Sequence, residues 1–323
     1  MPQKSYREAL REAMREELKK DPDVFIMGED IGLYGGCFKV TQGLLEEFGP
    51  QRIKDTPLSE SVIVGAAAGA ALLGKRPIAE IMFADFLPLV LDQFCNNAAQ
   101  MSYLYNGAAK VPLVLRTQQG AGTQSGAHHS QCLEAIFLNF PGLKIVMPST
   151  PYDAKGLLKS AVRDNNPVLF LEHKLLYNTT GEVPDEEYYI PLGKADIKQE
   201  GEDLTIIATS AMVIKALKAA EQLSQEGVRA EVIDPMTIAP LDGEALITSI
   251  QKTKRVLVVH EARQTGGAGA EIAAFLGKEA FDYLDAPIER IGAPHIPVPF
   301  SPTLEKYYLP GEEQIIKTAL QMM

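Results

Sequence analysis

Three short stretches of this chain carry side chains able to move protons beside an apolar pocket. In Asp55-Thr56-Pro57-Leu58-Ser59-Glu60-Ser61 a carboxylate stands in the first turn of an apolar helix predicted over 61–73. Phe83-Ala84-Asp85-Phe86 follows a predicted strand at 78–83, so Phe86 falls at the carboxyl end of a strand, where open α/β sheets bind ligands. A Gly-rich loop, Gly120 to Ala127, ends in His128-His129-Ser130-Gln131, which places two of the five histidines in tandem. Histidine titrates near neutral pH and suits a proton donor. A carboxylate beside apolar side chains has its pKa raised and shares protons readily. Leu58 and Val62-Ile63-Val64 are expected to supply those surroundings for Glu60.

Each feature also has an ordinary reading. Ser59 is a good helix N-cap and Glu60 a first-turn acid favoured by the helix dipole. Phe86 reads equally as core, and His129 as a solvated loop residue. Adjacent histidines diverge on most backbones, and no other metal-ligand spacing accompanies them. The three stretches argue for chemistry only together.

The elements that must position them alternate regularly. Tyr6, Leu10, Met14 and Leu18 mark an amphipathic first helix ending near Asp21-Pro22. Strands are predicted at 24–27, 78–83, 111–116, 143–147 and 168–172, with helices at 61–73, 87–105, 130–139 and 151–163. Short apolar strands between helices imply a mostly parallel sheet covered on both faces. A polar, Pro-containing stretch at 176–192 reads as a linker. A second α/β series follows, with strands at 204–208, 228–233, 256–260 and 288–291 and helices at 211–226, 243–251 and 269–280. The expected organisation is thus a first domain at 1–175, the linker, and a second domain at 193–323.

Composition narrows the function classes. At 323 residues, two domains are the default. A net charge of −11 disfavours nucleic acid, whose binding depends on Lys and Arg. The longest uncharged apolar run, 62–73, is shorter than the roughly 18 residues of a membrane span, so no membrane role is expected. No signal peptide is visible, and Cys37, Cys95 and Cys132 have no paired spacing. A cytoplasmic protein with reduced thiols is expected.

Two near-matches to phosphate motifs fail. Gly69 to Lys75 matches a phosphate loop until Arg76 stands where Ser or Thr is required, and Gly74 reads as a helix C-cap. Gly267-Ala268-Gly269 and Gly120-Ala121-Gly122 lack the third glycine of a dinucleotide fingerprint, which leaves a nicotinamide-dependent oxidoreductase as a remote alternative.

Taken together, the chain resembles the β subunits of thiamine diphosphate-dependent decarboxylase components of 2-oxo acid dehydrogenase complexes, pyruvate dehydrogenase type. It is also close to acetoin dehydrogenase β subunits in stretches 177–184, 192–197 and 299–302. Gly28-Glu29-Asp30, the three stretches above, Gly266-Gly267 and Ala293-Pro294-His295 carry the resemblance over nearly the whole length. It implies a transketolase-like pyrimidine-binding domain followed by a transketolase C-terminal domain. It implies Glu60 and His129 as catalytic, with Glu29, Leu58, Glu60, Phe86 and His128 at the cofactor. It implies a potassium ion at Leu113, Ala161, Val162, Asp164 and Asn166. The family's Gly-Asp-Gly signature for Mg²⁺ and pyrophosphate is absent here. The cofactor would therefore be shared with an α subunit that holds Mg²⁺, in an α2β2 heterotetramer active only when assembled. The implied partners are a lipoyl acyltransferase, docked on the acidic second domain (Glu261, Glu271, Asp282, Asp285, Glu289), and lipoamide dehydrogenase through the complex. Pyruvate is the expected substrate, with acetoin and branched 2-oxo acids as alternatives, and a non-catalytic scaffold as a remote one.

Overall fold

A computed structural model describes residues 2–323. The chain forms two compact units. One comprises the residues up to Gln119 together with Ile136–Leu192, and the other comprises Gly120–Ala135 together with Gly193–Met323.

In the first unit six strands pair in parallel in the order Lys144–Val146, Val168–His173, Val114–Gln119, Arg76–Ile81, Val24–Gly28, Ile53–Asp55. Val114–Gln119 and Val168–His173 are buried along their whole length, as expected of a sheet covered on both faces. Helix Tyr6–Lys20 starts at a capping box, where the Ser5 side chain accepts from the Glu8 amide and the Ser5 amide donates to the Glu8 carboxylate. Its Tyr6, Leu10, Met14 and Leu18 stripe is buried as the spacing predicts. Lys155 and Lys159 of helix Pro151–Arg163 are buried and pair with Glu12, Glu16 and Glu187. Burying two lysines is tolerated because each ammonium meets carboxylates.

The stretch expected as one helix at 87–105 is broken. A 3₁₀ segment, Ala84–Val90, contains Pro88, which cannot donate to a helix ladder. A π-helical turn follows at Asp92–Ala98, where the Asn97 side chain donates to the Asp92 carbonyl at 3.0 Å. The segment 176–192 is not a free connection either. Thr180–Glu182 pairs antiparallel with Gln3–Ser5, Tyr177 and Val183 are buried, and the whole stretch belongs to the first unit.

The second unit has strands in the order Glu289–Ala293, Val256–Arg263, Leu204–Ala208, Ala230–Asp234, Asp196–Gln199. All pair in parallel except the last. Ile207, Ile233, Val256 and Val258 pack with Leu246, Ile250, Ile272 and Leu276 from helices Gly243–Thr253 and Ala268–Glu279. Among the described residues, no helix is long and apolar enough to cross a membrane.

Candidate active site

Three adjacent parallel strands of the first unit end at the candidate residues. Val24–Gly28 runs into Glu29, Ile53–Asp55 leads to Glu60, and Arg76–Ile81 leads to Phe83 and Phe86. Parallel strands put all their carboxyl ends on one edge of the sheet, so residues distant in sequence converge there. The Asp55 carboxylate accepts from the Gly32 amide at 2.6 Å and ties the loop after Gly28 to the neighbouring strand. A side chain on Gly32 would meet that carboxylate at 2.5 Å.

Helix Glu60–Leu72 begins with Glu60 in its first turn. Ser59 makes no side-chain cap bond there, contrary to the simple N-cap reading. Its hydroxyl donates to the Pro57 carbonyl at 3.3 Å, and its amide is bonded to Glu29. Glu29 is buried, and its Oε1 has no hydrogen-bond partner. Burial pushes its carboxyl above the usual range, and the nearby Glu60 charge pushes it further. Glu29 and Glu60 thus follow two adjacent parallel strands, near enough for the charge of one to act on the other. Phe86, half-buried, stands after the next strand, and its amide donates to the Phe83 carbonyl at 2.9 Å.

The apolar surroundings expected around Glu60 are only half present. Ile63 and Val64 are buried, but Leu58 is 82% and Val62 65% exposed. Val62 faces outward on the helix and Leu58 lies in the exposed segment before it, so this chain alone does not enclose the carboxylate. Gly74 lies just past the helix end with φ +89°, which confirms a C-terminal turn and not a phosphate loop.

Beneath the strand ends lies a charged cluster that the motifs do not reveal. Arg116, fully buried, donates to both oxygens of Glu172 at 2.6 and 2.9 Å and to Glu80 at 2.7 Å. Gln118 donates to Glu80 at 3.1 Å and the Tyr177 hydroxyl to Glu172 at 2.6 Å. The available signal is a charge inside each of three apolar strands, with Glu80 directly opposite Arg116 in register.

The histidine loop, within the first domain expected at 1–175, packs as part of the second unit. Positive φ values at Gly120, Gly122, Gln124 and Gly126 coil it, which explains the glycine spacing. The Glu305 carboxylate accepts from the Gly122 amide at 2.8 Å and from the Gln124 amide at 3.1 Å to each oxygen. Glu261 accepts from the Ala121 amide at 2.6 Å, so it is a buried anchor and not the exposed docking charge expected above. Glu271, Asp282, Asp285 and Glu289 are exposed. Gln131 accepts from Arg263 at 3.4 Å. His129 is half-buried and His128 exposed. The helix expected at 130–139 shrinks to Glu134–Phe137. Glu134 is buried with Oε2 lacking a hydrogen bond. Burial, with Glu261 nearby, pushes its carboxyl up to about 7.

The five positions implied for potassium gather around one turn of the first unit. The Val162 and Asp164 carbonyls accept from Arg76 at 2.9 and 3.1 Å, and the Asp164 carboxylate accepts from Lys144 and from Asn166. The Leu113 and Ala161 carbonyls accept from the amides of Val168 and Asp164. An ion held by these oxygens would have to share them with two side-chain cations.

With this geometry in hand, the comparisons decide the family. The transketolase pyrimidine-binding domain matches residues 2–180 and the transketolase C-terminal domain residues 193–315. The chain belongs to the family of dehydrogenase β subunits built from these two domains. This β chain is 48% identical to an acetoin:2,6-dichlorophenolindophenol oxidoreductase subunit beta of Bacillus subtilis, over 99% of its length and 97% of that protein. It is 49% identical to the 2-oxoisovalerate dehydrogenase subunit beta of the same organism, over 96% of both chains. It is 45% identical to that organism's pyruvate dehydrogenase E1 component subunit beta, over 100% and 99%. A solved split gene transketolase, an inactive beta4 tetramer, superposes with a TM-score of 0.83 at 23% identity, over 98% of each chain, and shares the fold.

Proposed function

We propose that the β chain supplies the aminopyrimidine half of a thiamine diphosphate site, and that an α subunit carrying Mg²⁺ supplies the pyrophosphate half, in an α2β2 assembly. The carrying observation is Glu29 at the strand ends, buried with one carboxylate oxygen unmatched, with Glu60 in electrostatic reach and Leu58 and Val62 exposed. Two neighbouring acidic side chains, one with an unmatched buried oxygen, fit a ligand edge bearing ring nitrogens and an amino group. Exposed apolar side chains around it suit a wall supplied by a partner.

When bound, thiamine diphosphate supplies a nucleophilic thiazolium carbon and accepts the electron pair released as the substrate loses CO2. Glu60 would hold a proton between its carboxylate and the pyrimidine ring nitrogen. Glu29, whose carboxyl burial pushes up, would line the same edge of the cofactor. Phe86 offers a ring face for stacking, and Leu58 an apolar edge. His129 would hold and deliver a proton during acyl transfer to a lipoyl group, with His128 lining the same mouth.

Pyruvate is the proposed substrate, and the acyltransferase with its lipoyl group the acceptor. Acetoin and branched 2-oxo acids are the alternative substrates, favoured by relatives named for acetoin and 2-oxoisovalerate. Potassium at the turn of Asp164 is part of the proposal. The test is co-purification with the α subunit and assay on pyruvate, 2-oxoisovalerate and acetoin. Tight thiamine diphosphate binding by the β chain alone at millimolar Mg²⁺ would overturn the shared-site reading.

A further inference from the structure

Building on the reading of His129 as a proton-holding residue, we infer that Glu305 is a positioning residue for it, acting through the backbone of the loop that carries it. Glu305 lies in helix Pro302–Tyr308, and only 3% of it is exposed. Its carboxylate touches no side-chain cation among the interactions described. It accepts from the amides of Gly122 and Gln124, two residues apart. The left-handed φ values of Gly122 (+99°) and Gln124 (+57°) turn both N–H groups toward one point. Successive backbone amides in such a conformation make an anion-binding concavity. Here the chain fills the concavity with its own carboxylate.

The arrangement explains two oddities. Gln124 is not glycine yet adopts a positive φ, a conformation that costs energy for an L residue and persists only where its surroundings hold it. The charge-assisted bond from its amide does that. Glu305 is also a buried carboxylate without a basic partner described, which is expensive unless donors satisfy it. The loop amides are those donors.

The consequence reaches His129 through four residues. Its amide lies 3.5 Å from the carbonyl of Gly126, which is buried with φ +69°. Downstream, Gln131 is held by Arg263. His129 therefore sits on a short arch with both feet fixed. Removing the Glu305 carboxylate frees the upstream foot.

The test uses the assembled α/β enzyme with E305Q and E305A in the β chain. Gln keeps size but offers one acceptor oxygen and no charge, so it guards against simple misfolding of the Ala variant. Hydrogen exchange of the peptide spanning 121–126 should rise at least tenfold in both variants, with exchange in the sheet strands unchanged. Acyl transfer to a lipoyl acceptor should fall at least tenfold and more than decarboxylation measured with an artificial electron acceptor. The double variant E305Q/H129A should transfer acyl groups no more slowly than H129A. Unchanged exchange at 121–126, or additive losses in the double variant, would overturn the proposal. If H129A alone transfers acyl groups normally, the reading of His129 fails by itself, and the exchange measurement still decides whether Glu305 holds the loop.

Discussion

Glu29 stands within electrostatic reach of Glu60, and one of its carboxylate oxygens is sealed from solvent and matched by no donor. Burial first, and the like charge of Glu60 second, disfavour the ionised form of Glu29, so ionising it costs stability. A carboxyl whose native pKa is raised contributes stability that is full below the ordinary carboxyl pKa and lost as pH rises through the native value. Changing Glu60→Gln removes the like charge. The isolated β chain should therefore unfold at a higher temperature at pH 8 and at an unchanged temperature at pH 4. The reconstituted enzyme should meanwhile lose at least the ~10²-fold typical of a general acid–base group. A variant with near-normal turnover would reduce Glu60 to a helix-terminus acid.

Glu134 makes a similar prediction away from Glu29 and Glu60. Its pKa of about 7 means that the folded chain retains a proton which the unfolded chain releases near the ordinary carboxyl value of 4.5. Stability is lost between those two values as pH rises, by at most about 3.5 kcal/mol at ~1.4 kcal/mol per unit. Glu134→Gln should raise the melting temperature at pH 8 and leave it unchanged at pH 4. Equal effects at the two pH values would show that the carboxyl titrates normally.

His260 has the opposite sign. Gly267, Gly269 and Gly292 pack against its buried ring, and an added Cβ at Gly269 would meet ring atoms at 2.3 and 2.6 Å. Burial, with Arg290 nearby, lowers its pKa from 6.5 to about 4. The unfolded chain binds the proton first, so stability present above pH 6.5 erodes as pH falls toward 4 and levels off below. His260→Leu should flatten that acid limb in thermal melts. A limb of unchanged slope would place the sensitivity elsewhere.

Arg116 tests the buried charges under the strand ends. Arg116→Met leaves Glu80 and Glu172 buried without their cation, which should cost about 3–5 kcal/mol in denaturant unfolding. Adding Glu80→Gln and Glu172→Gln to Arg116→Met should return most of it, because neutral amides need no countercharge. No recovery in the triple variant would mean that Arg116 contributes by packing alone.

Much of the layout was legible in the sequence because apolar periodicity is a local property. The stripe from Tyr6 to Leu18, the short buried strands and the carboxylate in the first turn of an apolar helix can all be read over a few residues. What the sequence concealed depends on partners distant along the chain. Glu305 grips Gly122 across 183 positions, and it grips backbone amides, which leave no side-chain signature where they lie. Only the glycine spacing hinted at it. Val62 was legible as apolar but not as exposed, since periodicity sorts faces without saying which one the chain itself covers. The 87–105 segment misled because its apolar residues keep helical spacing while Pro88 and Asn97 disturb the ladder.

The excursion of residues 120–135 has a consequence for dissecting the protein. The chain passes from one unit to the other after Gln119, returns after Ala135, and passes again after Leu192. A cut within 176–192 therefore severs one of three covalent threads and cannot release either half as a separate body. A fragment stopping at Leu192 would keep the histidine loop but lose Glu261, Arg263 and Glu305, the groups that shape it. Module exchange between relatives at that boundary would graft a loop from one parent onto anchors from the other.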